Sequence, residues 1–113
     1  MSDKHDFRQI ADAYVAAFNA RDIDRLAALF ADTVTLRDWS LDERGREAVL
    51  QANRDMFAAT TSIEATVLKS VVQDRTVVLE LVIEVNRSDR LTVVDILEFD
   101  DSGRLLAIRA YKG

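Results

Sequence analysis

The chain is 113 residues long, 49% apolar and 31% charged, the size and balance of one globular domain over residues 1–113 and not of a disordered or repetitive chain. Asp and Glu number 20 against 15 Lys and Arg, a net charge of −5, which argues against a nucleic-acid partner because cations carry the affinity for phosphate backbones. No apolar run approaches the about 18 residues of a membrane span, and no signal-like apolar segment opens the chain, so no membrane partner is expected and the cytoplasm is the expected location.

The first helix is marked by Phe7, Ile10, Ala11, Tyr14 and Phe18, whose steps of three and four stack on one face, and it ends near Ala20. Asp22 is a good N-cap for a shorter second helix carrying Ile23, Leu26, Ala27, Leu29 and Phe30. A strand is expected from Thr33 to Trp39. Asp42-Glu43-Arg44 reads as a solvated loop. Gly45 precedes a third helix with Val49, Ala52, Asn53, Met56 and Phe57 turned inward. From Ser62 onward the pattern becomes β: Ile63–Val72, Thr76–Val85, Leu91–Phe99 and Leu105–Tyr111 are rich in Val, Ile and Leu. Short polar turns separate them, so consecutive strands should pair antiparallel. Helices followed by a meander give an α+β fold, with N-terminal helices packed on a curved, mainly antiparallel sheet. A curled sheet closed by helices encloses a cone, a natural place for a pocket.

The chemistry available is narrow. Without Cys there are no disulfides, thiolate nucleophiles or Cys-ligated zinc. The single His, at position 5, stands at the edge of the chain, so neither a His-based triad nor a metal site is expected. Catalysis would fall to carboxylates and phenols. Strand parity then singles out two acids. Asp95 is the lone acid in the row Leu91, Val93, Asp95, Leu97 and Phe99, and Asp38 shares a face with Val34 and Leu36. Tyr14 lies in the middle of the apolar stripe of the first helix. A buried carboxylate without partners is too costly to keep ionised, so two acids in different surroundings can divide into an acid and a base. Each residue also has a plain structural reading. Tyr14 can be a core tyrosine, Asp38 a turn or capping acid, and Asp95 half of a structural pair with Arg109 or part of a polar interface. Asn53 can be a helix residue satisfied by its neighbours, and Glu80 and Glu84 are solvated or interfacial.

The stretch Tyr14-Val15-Ala16-Ala17-Phe18-Asn19-Ala20-Arg21-Asp22-Ile23-Asp24, with Leu29-Phe30-Ala31-Asp32, resembles the opening of the ketosteroid isomerase and SnoaL-like group of the nuclear-transport-factor-2-like superfamily. Phe99-Asp100-Asp101-Ser102-Gly103-Arg104 through Ile108-Arg109-Ala110 resembles the closing hairpin of the same group. The resemblance implies a cone-shaped α+β fold, usually a homodimer, with a pocket between helices and sheet. Ketosteroid isomerases hold an enolate oxygen with a tyrosine and a protonated aspartic acid, and another aspartate moves the proton. By that resemblance Tyr14 and Asp95 match the oxygen-binding pair and Asp38 the base. Trp39 stands where the family often has Pro, and parity points it away from Asp38. Asn53 stands about where a supporting tyrosine is expected.

The expected function is therefore cofactor-free proton transfer next to a carbonyl, of isomerase or cyclase type, with Tyr14, Asp38 and Asp95 as the catalytic set. Phe18, Phe30, Asn53, Phe57, Val93 and Leu97, on the inward faces, are the candidate lining for a small apolar or carbonyl-containing ligand. The alternatives are a non-catalytic ligand-binding module and a dimerisation module. Val78, Val82, Val94 and Ile96 make the second sheet face partly apolar, which predicts that a partner subunit covers it.

Overall fold

The computed structural model describes residues 5–113. Helix α1 (Phe7–Asn19) starts at Asp6, whose carboxylate accepts from the Gln9 N–H at 3.2 Å. It buries Phe7, Ala11, Tyr14, Val15, Ala17 and Phe18. Helix α2 (Ile23–Leu29) is capped by Asp22, which accepts from the Arg25 N–H at 3.1 Å, satisfying a donor that the first turn leaves free. Strand β1 (Phe30–Arg37) follows without a loop. Phe30 is thus the first strand residue and not the last helical one. Its apolar spacing fits the helix stripe, but its backbone, at φ −88° and ψ 136°, is already extended. β1 also stops two residues earlier than expected, which places Asp38 and Trp39 in the turn beyond it.

β2 (Asp42–Arg44) is a short edge strand antiparallel to β1, where a loop was expected; Asp42 and Arg44 remain exposed. Gly45, at φ 93°, leads into α3 (Arg46–Ala59), whose buried residues are Val49, Leu50, Asn53 and Phe57. Then come β3 (Ile63–Gln73), β4 (Thr76–Val85), β5 (Asp89–Phe99) and β6 (Leu105–Lys112). These four pair antiparallel in sequence, as their short turns require. β6 then pairs parallel with β1. The result is one mixed sheet of order β2-β1-β6-β5-β4-β3.

The sheet curves over the helices. Its register breaks between Val67 and Lys69 on β3 and between Leu105 and Ala107 on β6, and an extra residue at such a bulge bends a strand. Leu68, between the paired positions on β3, is thrown outward and exposed. The concave face carries the core: Val77, Leu79 and Leu81 of β4, Val93, Leu97 and Phe99 of β5, and Leu105 and Ile108 of β6 are almost wholly buried. No helix among the described residues is long and apolar enough to cross a membrane.

Candidate functional site

Between the helices and the concave face lies a cavity of about 110 Å³, several times the about 10–15 Å³ that one water needs. Tyr14 reaches it from α1, Asn53 from α3, Asp95 from β5, and Asp38 from the turn after β1. The remaining lining is almost entirely apolar, with Val15, Phe18, Leu36, Met56, Leu81 and Val93 prominent.

Asp95 and Asn53 are the buried polar residues among those described, at 7% and 4% exposure. Asp95 faces inward because β5 alternates: it lies opposite Leu79 on β4 and Ala110 on β6. Neither neighbour offers a side-chain donor. The expected pair with Arg109 does not form. Arg109 lies opposite Ile96, on the other face of the sheet, and pairs with Glu98. Burial pushes the Asp95 carboxyl up to about 7, and the nearby charge of Asp38 adds to the rise. Near neutrality, then, Asp95 is a half-protonated acid whose neutral form can donate a hydrogen bond.

Tyr14 is equally enclosed, at 8% exposure. Burial, reinforced by Asp95, holds its phenol far above the usual range, so the hydroxyl keeps its proton and remains a donor. Neither Tyr14 nor Asp95 makes a side-chain hydrogen bond to another described residue. Their oxygens are not sealed in the protein, since Arg46 Nε is the one buried side-chain polar atom without a partner among the described residues. They open to the cavity and are free there to pair with a molecule from outside the chain.

Asp38 differs from both. Its Oδ1 accepts from the backbone N–H groups of Ser40 and Leu41, each at 2.7 Å, and from Ser40 Oγ at 3.3 Å. Asp38 is therefore a turn acid and a cavity acid at once. Oδ2 accepts nothing from the described residues and is the atom left to handle a proton. Asn53 donates to the Val49 carbonyl one turn back at 2.9 Å, the local satisfaction expected of a helix residue.

Of the six expected lining residues, Phe18, Asn53 and Val93 line the cavity. Phe30, Phe57 and Leu97 lie in the core behind it: Phe30 against the Tyr14 ring at 6.4 Å, Phe57 edge-on to Phe18 at 5.5 Å, and Leu97 fully buried two residues beyond Asp95. Helical spacing for Phe30 and Phe57 and strand alternation for Leu97 pointed to the interior, but not to their depth in the cone. Trp39 is the opposite case. Strand parity turned it away from Asp38, yet it lines the cavity beside Asp38, because β1 ends at Arg37 and the alternation stops there. Among the described residues no group of three or more His, Asp or Glu is placed to hold a metal ion.

The model of the SnoaL-like domain family matches residues 11–108, and the chain belongs to that family. No curated protein matches the sequence. Among solved structures, a candidate ketosteroid isomerase from Kribbella flavida superposes with a TM-score of 0.84 at 22% identity, over 95% of this chain and 77% of that one. A nuclear-transport-factor-2-like protein of unknown function from Cytophaga hutchinsonii gives 0.83 at 13% identity, over 100% and 95%. An epoxide hydrolase from M. tuberculosis gives 0.83 at 19% identity, over 95% and 82%. At these identities the likeness is one of fold: helices on a curved mixed sheet.

Proposed function

We propose that this single-domain, cytoplasmic protein catalyses cofactor-free proton transfer next to a carbonyl, as an isomerase or cyclase acting on a small apolar ketone. The reading rests on one observation: Tyr14 and Asp95, buried and without hydrogen-bond partners among the described residues, share a cavity with Asp38. A substrate carbonyl oxygen would accept from the Tyr14 hydroxyl and from protonated Asp95. Oδ2 of Asp38 would take the proton from the adjacent carbon, and the electron pair would move to the oxygen as an enolate. The two donors would stabilise that charge among largely apolar walls, and a single such donor is worth about 10²–10³ in rate. Asp38 would then return the proton at a second carbon. The family, with its candidate isomerase and epoxide hydrolase neighbours, is consistent with small-molecule chemistry.

Turnover of a β,γ-unsaturated ketone tests this. Asp38→Asn should abolish it and leave the melting curve intact, since an amide oxygen can still accept the turn hydrogen bonds. Equal inactivity of wild type and variant across a broad ketone panel defeats the proposal.

The hydrogen bonds on Asp38 favour a second reading, in which the acid shapes the turn and the cavity only binds. A ligand would then raise the melting temperature without being converted. Under either reading the chain would act as a homodimer through the convex sheet face. Val78, Val82, Val94 and Ile96 are half-buried there, beside exposed Val71 and Tyr111, which lie opposite Val78 and Val94.

A further inference from the structure

The cavity has a second chemical character, set by charge. Two carboxyl groups, Asp38 and Asp95, and three aromatic rings, Tyr14, Phe18 and Trp39, line it, and no Lys, Arg or His does so among the described residues. Apolar walls, π faces and acids without a basic side chain in the same lining together suit an organic cation: ring faces attract ammonium groups through their quadrupole, and most strongly where water is excluded. One ring is already used in this way, since the Lys112 Nζ lies over the Trp39 ring, 5.3 Å from its centroid. Asp95 supplies the independent sign of a missing partner. It is 93% buried by its 7% exposure, has no hydrogen bond to a described residue, and opens into the cavity.

We propose that the cavity takes a compact apolar ammonium ion, its charge facing the carboxylates of Asp95 and Asp38 and its alkyl groups packed against the rings of Tyr14, Phe18 and Trp39. This rests on the reading of the cavity as a ligand site, and it names a ligand class of opposite charge to an enolate. The two classes need opposite states of Asp95. An enolate or carbonyl oxygen needs the protonated acid as donor, whereas an ammonium ion needs the carboxylate.

The groups that set this balance are few. α1 presents Tyr14 to Asp95, and the turn after β1 presents Asp38. β4 and β6 offer Leu79 and Ala110 at the paired positions, and α3 offers uncharged Asn53. Lys112, on the Trp39 ring, is the nearby cation. A bound cation offsets the repulsion between the two carboxylates and draws the proton from Asp95 into solvent. Ammonium affinity therefore rises with pH through the Asp95 titration near 7.

Benzyltrimethylammonium and neopentylbenzene have the same shape and differ only in a charge that does not titrate. Their affinities are read by calorimetry and by the emission of Trp39, the single tryptophan. At about pH 8.5 the ammonium should bind at least about tenfold more tightly than the hydrocarbon, and at about pH 5.5 the preference should shrink to about twofold. Asp95→Asn should keep hydrocarbon binding, which also reports an intact cavity, and lose most of the preference and its pH dependence. Equal binding of both probes at the higher pH overturns the proposal and leaves the ligand cavity standing. A preference unchanged in Asp95→Asn also overturns it, because the cation would then sit elsewhere. If neither probe binds, the ligand cavity and the ammonium proposal fall together.

Discussion

Asp95 holds its proton more firmly in the folded chain than in the unfolded one, with a value of about 7 against 3.8, and that difference makes stability depend on pH. Below the unfolded value both states are protonated and burial of the acid costs little. As pH rises through the window between the two values, the unfolded chain releases the proton first, so stability falls. Above about 7 the full cost is present, on the order of a few kcal/mol. Asp95→Asn removes the titrating group. Thermal melts at about pH 5 and pH 8 should show the variant gaining on wild type as pH rises; two curves that shift in parallel contradict this. Asp95 was legible in the sequence because strand alternation is strict and β5 keeps it from Val93 to Phe99. Its lack of a partner was not, since that depends on Leu79 and Ala110 standing opposite it, and register between strands is not written in either strand alone. Asp38 combines the two roles that its position offered, turn acid and cavity acid.

The elements are tied by contacts that local pattern does not reveal. At the end of α1, Asn19 donates to the Ala65 carbonyl at 2.9 Å and accepts from the Ala65 N–H at 2.8 Å, so its amide acts as one residue of a neighbouring strand for β3. Asn19→Ala leaves both backbone groups of a buried residue unpaired and should cost about 1–3 kcal/mol in denaturant unfolding; a loss within the scatter of surface substitutions contradicts the clasp. Gly45 turns the chain from β2 into α3 at φ 93°, with nothing within 4 Å of where a Cβ would stand. The cost of Gly45→Ala is therefore backbone strain alone, about 1–3 kcal/mol, and a substitution without effect on the melt would show that this turn relaxes freely. The Asp22 cap was readable because the whole device lies within four residues. The start of β1 was not: Phe30 fits the α2 stripe, and only its contact with the core side of the sheet settles its conformation. Trp39 was misplaced for the converse reason, alternation having been extended past the point where Asp38 breaks the strand.

At the scale of the whole chain, the α+β order and the four-strand meander were readable from period and turn length. The parallel pairing of β1 with β6 was not, since it joins segments from opposite ends of the sequence. The convex face of the resulting sheet keeps more apolar surface than an isolated antiparallel sheet usually does. A self-pairing of that face predicts a dimer by sedimentation at micromolar concentration, and Ile96→Glu, charged at its centre, should give a folded monomer; a monomeric wild type contradicts it. The same curvature brings α1, the β1 turn and β5 together, so that Tyr14, Asp38 and Asp95 line one cavity. The most direct test of that convergence is the ¹³Cγ shift of Asp95 followed through a pH titration, in wild type and in Asp38→Asn. The midpoint should lie near 7 in wild type and move down once the Asp38 charge is removed. An ordinary midpoint near 3.8, indifferent to Asp38, would mean that Asp95 is neither enclosed nor beside its neighbour.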